Sequence, residues 1–181
     1  DPSAEGALLF VGSSSVRMWD TLDLSFPDHE VVNRGFGGSH FSDAIHWFAE
    51  LFLPHRPSAV FIYEGDNDLA SGKAPEKVLE DARVLVGMIR AQFEDTPIIL
   101  ISPKPSPARW NIRNDYVALN ALLKHWAGAE PNLYFGDVWS DSLGFDGRPI
   151  PETFLEDQLH MNELGYVIWR NTLREALEET R

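Results

Sequence analysis

Five short apolar runs, each followed by a glycine, proline or polar turn and separated from the next by a longer stretch of polar and helix-period sequence, constrain what this chain can fold into. They lie near residues 7–12, 30–33, 58–63, 97–102 and 132–136. Strands alternating with helices in this way specify a parallel sheet covered on both faces. Between the third and fourth runs, Val78, Ala82, Leu85, Val86, Ile89 and Phe93 recur at the spacing of one helix face. A second helix is predicted from about Arg113 to Ala127, with Tyr116, Leu119, Leu122, Leu123 and Trp126 along one side. A third is predicted after Asn162, whose side chain can cap it.

A chain of 181 residues is ordinary for one compact α/β unit, and a single domain over 1–181 is expected. The apolar runs are far shorter than the roughly 18 residues of a membrane span, so integral membrane association is not expected. With 15 basic against 28 acidic residues the formal net charge is -13, and no Lys/Arg cluster is interleaved with aromatics. Such a surface repels a polyphosphate, which argues against nucleic acid as a partner. The absence of cysteine excludes disulfides, a thiolate nucleophile and Cys-based metal sites. A first residue of Asp1 fits removal of a leader and a trimmed chain equally, so localisation stays open between cytoplasmic and periplasmic or secreted. The oligomeric state is likewise open.

The chemistry-bearing residues stand at the ends of the apolar runs and near the C-terminus. Asp157-Gln158-Leu159-His160 sets a carboxylate one turn from an imidazole. A carboxylate that accepts from one ring nitrogen fixes the tautomer and leaves the other nitrogen to take a proton from a hydroxyl. Candidate hydroxyls follow the first run, in Gly12-Ser13-Ser14-Ser15. The second run leads into Asn33-Arg34-Gly35-Phe36-Gly37-Gly38, whose glycines let backbone N–H groups approach a ligand. The third leads into Glu64-Gly65-Asp66-Asn67-Asp68, a polar turn with one amide side chain.

Taken in order, these four segments resemble the sequence blocks of the SGNH hydrolases, also called the GDSL esterase and lipase family, from about Leu8 to Leu177. The resemblance implies a three-layer α/β/α sandwich with a flavodoxin-like five-stranded parallel sheet. It implies Ser14 as nucleophile, His160 as base, Asp157 as its orienting acid, and an oxyanion hole formed by Ser14, Gly38 and Asn67. The sequence departs from the family pattern at Ser13, where aspartate is expected; the three adjacent serines leave the nucleophile to be assigned by register, which favours Ser14.

The function implied is a serine esterase acting on a small-molecule ester through an acyl-serine, with short acyl groups on a small alcohol or an acetylated carbohydrate. The alternatives are an acyltransferase, a thioesterase or lysophospholipase with the same triad, and a non-catalytic binding module on the same fold. His40, close to Gly38, is a candidate pocket residue. Arg109 and Trp110, in the proline-rich segment after the fourth run, are candidates for a pocket wall. The remaining histidines are scattered and no pair has HExxH-like spacing, so neither a metal nor a cofactor is expected.

Overall fold

The computed structural model describes residues 5–181. Strands β1 (Leu8–Gly12), β2 (Val31–Gly35), β3 (Ala59–Tyr63), β4 (Ile98–Ile101) and β5 (Leu133–Gly136) alternate with helices. The helices are α1 (Ser14–Arg17), α2 (Leu22–Ser25), α3 (Phe41–His46), α4 (Phe48–Phe52), α5 (Asp66–Ala70), α6 (Pro75–Gln92), α7 (Arg113–Ala127), α8 (Val138–Asp141) and α9 (Glu163–Glu178). Two 3-10 turns, Pro107–Ile112 and Pro151–Thr153, complete the order. The sheet is wholly parallel, in the order β2-β1-β3-β4-β5. Chain direction across the sheet reverses between β1 and β3, which is where open α/β sheets place their ligands, outside the strands' carboxyl ends.

The two-residue repeat of each strand divides the core. Leu9, Val11, Val60, Ile62, Ile98 and Leu100 pack against α3, α4, α6 and α7. Leu8, Phe10, Phe61, Tyr63, Ile99 and Ile101 face the opposite layer, with Trp19 and Phe26 and, from α9, Tyr166, Trp169 and Leu173. Phe10 and Phe61 stack at 4.2 Å between ring centroids, directly paired across β1 and β3. Helices cover both faces, so β1, β3 and β4 are apolar at every position.

Helix α7 spans the segment read from the sequence, and α9 is capped by Asn162, whose side chain accepts from the N–H groups of Leu164 and Gly165. The reading of the second strand as 30–33 is corrected: β2 runs on to Gly35 through Asn33 and Arg34. It is an edge strand, and an edge tolerates polar side chains; Asn33 donates to the Val16 carbonyl and accepts from the Gly35 N–H. A Cβ on Gly35 would stand 2.3 Å from the Arg17 backbone nitrogen, so glycine lets α1 lie against β2 and carry Ser14 to the sheet edge.

Candidate active site

Ser14, Gly38 and Asn67 each sit where a strand hands over to a loop or short helix, whereas Asp157 and His160 lie in the loop before α9. Gly12 ends β1 and Ser14 is the first residue of α1, placed by the bond from the Ser13 N–H to the Tyr63 carbonyl of β3 (3.1 Å). Ser13 and Ser15 are each only 2% exposed, whereas Ser14 is half-buried and its Oγ lies 2.9 Å from His160 Nε2. Geometry therefore separates the three serines, which sequence could do only by register.

The Asp157–His160 segment is a tight turn built around the carboxylate. Asp157 Oδ1 accepts from the backbone N–H groups of Leu159 and His160, both at 2.9 Å, and Oδ2 lies 2.5 Å from His160 Nδ1. Gln158 takes a left-handed backbone (φ 58), uncommon for a residue with a Cβ. Two bonds hold it there: its N–H donates to Leu155 O, and its carbonyl accepts from the Ala108 N–H at 3.0 Å. Desolvation raises the Asp157 pKa, but the bonds from His160 and the two N–H groups together outweigh it and bring the carboxyl down to about 2. Asp157 thus stays ionised through the range in which the imidazole works.

Gly38 has φ +75 with open space around its α-carbon, and its left-handed backbone carries the chain from β2 into α3. Among the described residues neither the Ser14 nor the Gly38 N–H has a protein acceptor. For Ser14 this follows from its place in the first turn, where N–H groups have no intrahelical partner. Asn67, in the first turn of α5, donates through Nδ2 to Ser39 O at 3.0 Å, which ties the third block to the second.

The three substrate-contact candidates each engage neighbouring side chains. Arg109 is drawn inward by a carboxylate: it donates to Asp66 Oδ1 (2.5 Å), to Asp66 O (3.1 Å) and to Asn67 Oδ1 (3.0 Å). Its half-buried guanidinium is engaged by Asp66 and Asn67. Trp110 stacks on Trp139 at 5.9 Å, and the Arg113 guanidinium lies over its ring at 5.6 Å. His40 stands just before α3, its Nδ1 3.8 Å from Asp68 Oδ1 and its N–H donating to Asp43 Oδ2. The proline-rich connection after β4 is thus chiefly a brace: Ala108 holds the turn that carries His160, and Arg109 holds Asn67.

Sequence reasoning missed the buried polar layer beneath the site. Asp66 accepts from Tyr63 (2.7 Å), Lys104 (3.1 Å), Arg109 and Tyr116, and Lys104 is 1% exposed. Burial pushes the Asp66 pKa up, and the two cations and two phenols overcome that and hold it well below the carboxylate range. Glu64 is the opposite case. It is 1% exposed and among the described residues accepts one side-chain bond, from Ser39 Oγ (2.7 Å); burial, reinforced by Asp68, Asp43 and Asp66, outweighs that bond and pushes its pKa well above the usual value.

A raised carboxyl pKa means that folding favours the neutral acid. Stability is then greatest below the unfolded pKa and falls as pH rises toward the folded one, at up to about 1.4 kcal/mol per pH unit for one group. In thermal melts at stepped pH, Glu64→Gln is expected to flatten this decline between pH 5 and 7. An unchanged slope would mean that Glu64 is not held neutral.

Fold and site together define a three-layer α/β/α protein with the Ser–Gly–Asn–His arrangement of an SGNH hydrolase at the carboxyl edge of its sheet. The chain belongs to the GDSL-like lipase/acylhydrolase family, whose sequence profile matches residues 6–168. No curated protein matches it by whole-sequence comparison. Solved structures do resemble it. A protein from Streptococcus pneumonia, provisionally described as a platelet activating factor, superposes with a TM-score of 0.87 at 20% identity, over 96% of this chain and 84% of that one. A GDSL-like lipase from Bacteroides thetaiotaomicron gives 0.81 at 22% identity, with 97% and 89% covered. A variant of an acetylxylan esterase from Geobacillus stearothermophilus gives 0.79 at 18% identity, with 97% and 94% covered. At these identities the likeness is one of fold.

Proposed function

We propose that the protein is a carboxylic ester hydrolase that works through an acyl-Ser14 intermediate and prefers short acyl groups. The observation that carries this reading is the Ser14 Oγ to His160 Nε2 distance of 2.9 Å, continued by 2.5 Å from Nδ1 to Asp157. As Ser14 Oγ attacks the ester carbonyl, His160 takes its proton and Asp157 stabilises the imidazolium. Negative charge moves to the carbonyl oxygen, where the Ser14 and Gly38 N–H groups and the Asn67 amide supply donors in place before reaction. The intermediate collapses, the C–O bond to the alcohol breaks, and His160 returns its proton to the leaving oxygen. Water, deprotonated by the same imidazole, attacks the acyl-serine; the C–Oγ bond breaks, His160 returns the proton to Ser14 Oγ, and the acid is released.

The short-acyl preference is supported by how open the site is. Gly37 and Gly38 are exposed, the Asp157 side chain is 48% exposed, and Leu155 is 40% exposed. A cavity of about 550 Å³ lies between α7, β5 and α9, lined by Lys124, Asp137, Thr172 and Glu175, and takes no residue of the site. An acetyl group gains most of its rate from the reacting centre and needs no deep apolar recess. The likeness to an acetylxylan esterase favours an acetylated sugar as the natural ester, with the sugar hydroxyl as the leaving alcohol.

Hydrolysis of p-nitrophenyl acetate, butyrate, octanoate and palmitate tests this. The expected result is kcat/KM at least about tenfold higher for acetate and butyrate than for palmitate. Each buried methylene is worth about 0.8 kcal/mol where a pocket receives it, so a rise along the series would reveal an acyl channel and a lipase-like preference. Acetate release from an acetylated xylo-oligosaccharide tests the proposed alcohol. Ester product that accumulates only with an added acceptor sugar would favour acyl transfer.

A further inference from the structure

We infer that Arg109 is a positioning residue for the oxyanion hole, fixing which face of the Asn67 amide meets the developing charge. The inference rests on the acyl-serine reading above. A side-chain amide has two ends of nearly equal shape and opposite polarity. With Nδ2 toward the reacting oxygen Asn67 stabilises it; turned over, Oδ1 repels it. Ser39 O accepts from Nδ2 at 3.0 Å and uses one of its two hydrogens. Arg109 donates to Oδ1 at 3.0 Å, and a guanidinium has no acceptor, so a turned amide would set N–H against N–H. The second Nδ2 hydrogen is left for the substrate oxygen.

The guanidinium can do this because it is itself held. Its other arm bonds both the Asp66 carboxylate and the Asp66 carbonyl, and that carboxylate is fixed from behind by Lys104, Tyr63 and Tyr116. Arg109 breaks the regular backbone of the Pro107–Ile112 turn (φ -116, ψ 17). The fork thus bridges Asp66 and Asn67, adjacent residues separated from it by 43 and 42 positions in sequence. A lysine could keep the charge beside Asp66 but cannot present two fixed arms. The same contacts also anchor the α5 turn, so the test separates that structural role from control of the amide.

The experiment is a double-mutant cycle of Arg109→Lys and Asn67→Ala, assayed on p-nitrophenyl acetate with melts of every variant. Asn67→Ala is expected to lower kcat about 100- to 1000-fold, the usual effect of losing one oxyanion donor. Arg109→Lys should lower kcat about 10- to 100-fold with KM within about threefold, and the double variant should match Asn67→Ala alone. Effects that multiply, or a loss confined to KM, would overturn the inference. Should Arg109→Lys melt below assay temperature, the wild-type Asn67 side-chain amide is read by NMR, assigned by its loss in Asn67→Ala. Two separated proton resonances away from the free-asparagine positions support a held amide, and free-asparagine positions refute it. Ser14→Ala is run alongside: full activity in that variant would remove the acyl-serine reading itself, independently of the Arg109 result.

Discussion

Replacing His160 with alanine is expected to lower kcat for ester hydrolysis by about four to six orders of magnitude, the range seen when a triad serine or histidine is lost. Among the described residues the imidazole is the group placed to take the Ser14 proton, at 2.9 Å, and a serine hydroxyl is a poor nucleophile without a base. The fold should survive, because His160 is a quarter exposed and the Asp157 carboxylate still accepts from the Leu159 and His160 N–H groups. Asp157→Ala should cost one to two orders of magnitude less than His160→Ala. Its carboxylate is 48% exposed, and water can take over part of its charge stabilisation. Steady-state kinetics on p-nitrophenyl acetate, with melts to confirm folding, check both; equal losses in the two variants would contradict the screening argument.

The second large effect concerns stability. Asp66→Ala leaves Lys104, 1% exposed, without its counter-charge and removes the carboxylate acceptor of two buried phenols. Breaking one side of a buried ion pair costs about 3–5 kcal/mol, which for a chain of this size lowers Tm by roughly 6–20 °C. The sign of the pH dependence follows from the depressed Asp66 pKa. A group whose folded pKa lies below its unfolded value stabilises above the ordinary carboxylate range, and that stability is lost as pH falls through the folded pKa. Wild-type protein should therefore keep the contribution of this cluster at pH 5 and surrender it only in stronger acid, whereas Asp66→Asn should lack it at every pH. A Tm for Asp66→Ala within 3 °C of wild type would show that the layer beneath the site contributes little.

What the sequence disclosed, and what it did not, follows from the range of the interactions. The strands were legible because both faces of β1, β3 and β4 are buried, leaving unbroken apolar runs. Helices α6, α7 and α9 were legible because each shows its buried face over several turns. Helices α1 to α5 have four to six residues, too few for a period to show, and are set by the loops that carry the site. Ser14, Gly38, Asn67, Asp157 and His160 could be chosen because each stands in a recognisable block. Arg109 was noticed, but its bonds to Asp66 and Asn67 were not legible, since these partners lie more than forty positions away. Glu64 and Lys104 carried no local sign of burial: a charged residue at a strand end reads as solvent-facing until the packing around it is known.

The central claim, that Ser14 is the nucleophile, is tested most directly by covalent labelling. Treatment of the protein with a fluorophosphonate, which phosphonylates an activated serine hydroxyl with loss of fluoride, should add one label, mapped by peptide mass spectrometry to Ser14. The label should be absent from Ser14→Ala and much slower to form in His160→Ala. A label on Ser13 or Ser15, or labelling that persists in Ser14→Ala, would contradict the assignment.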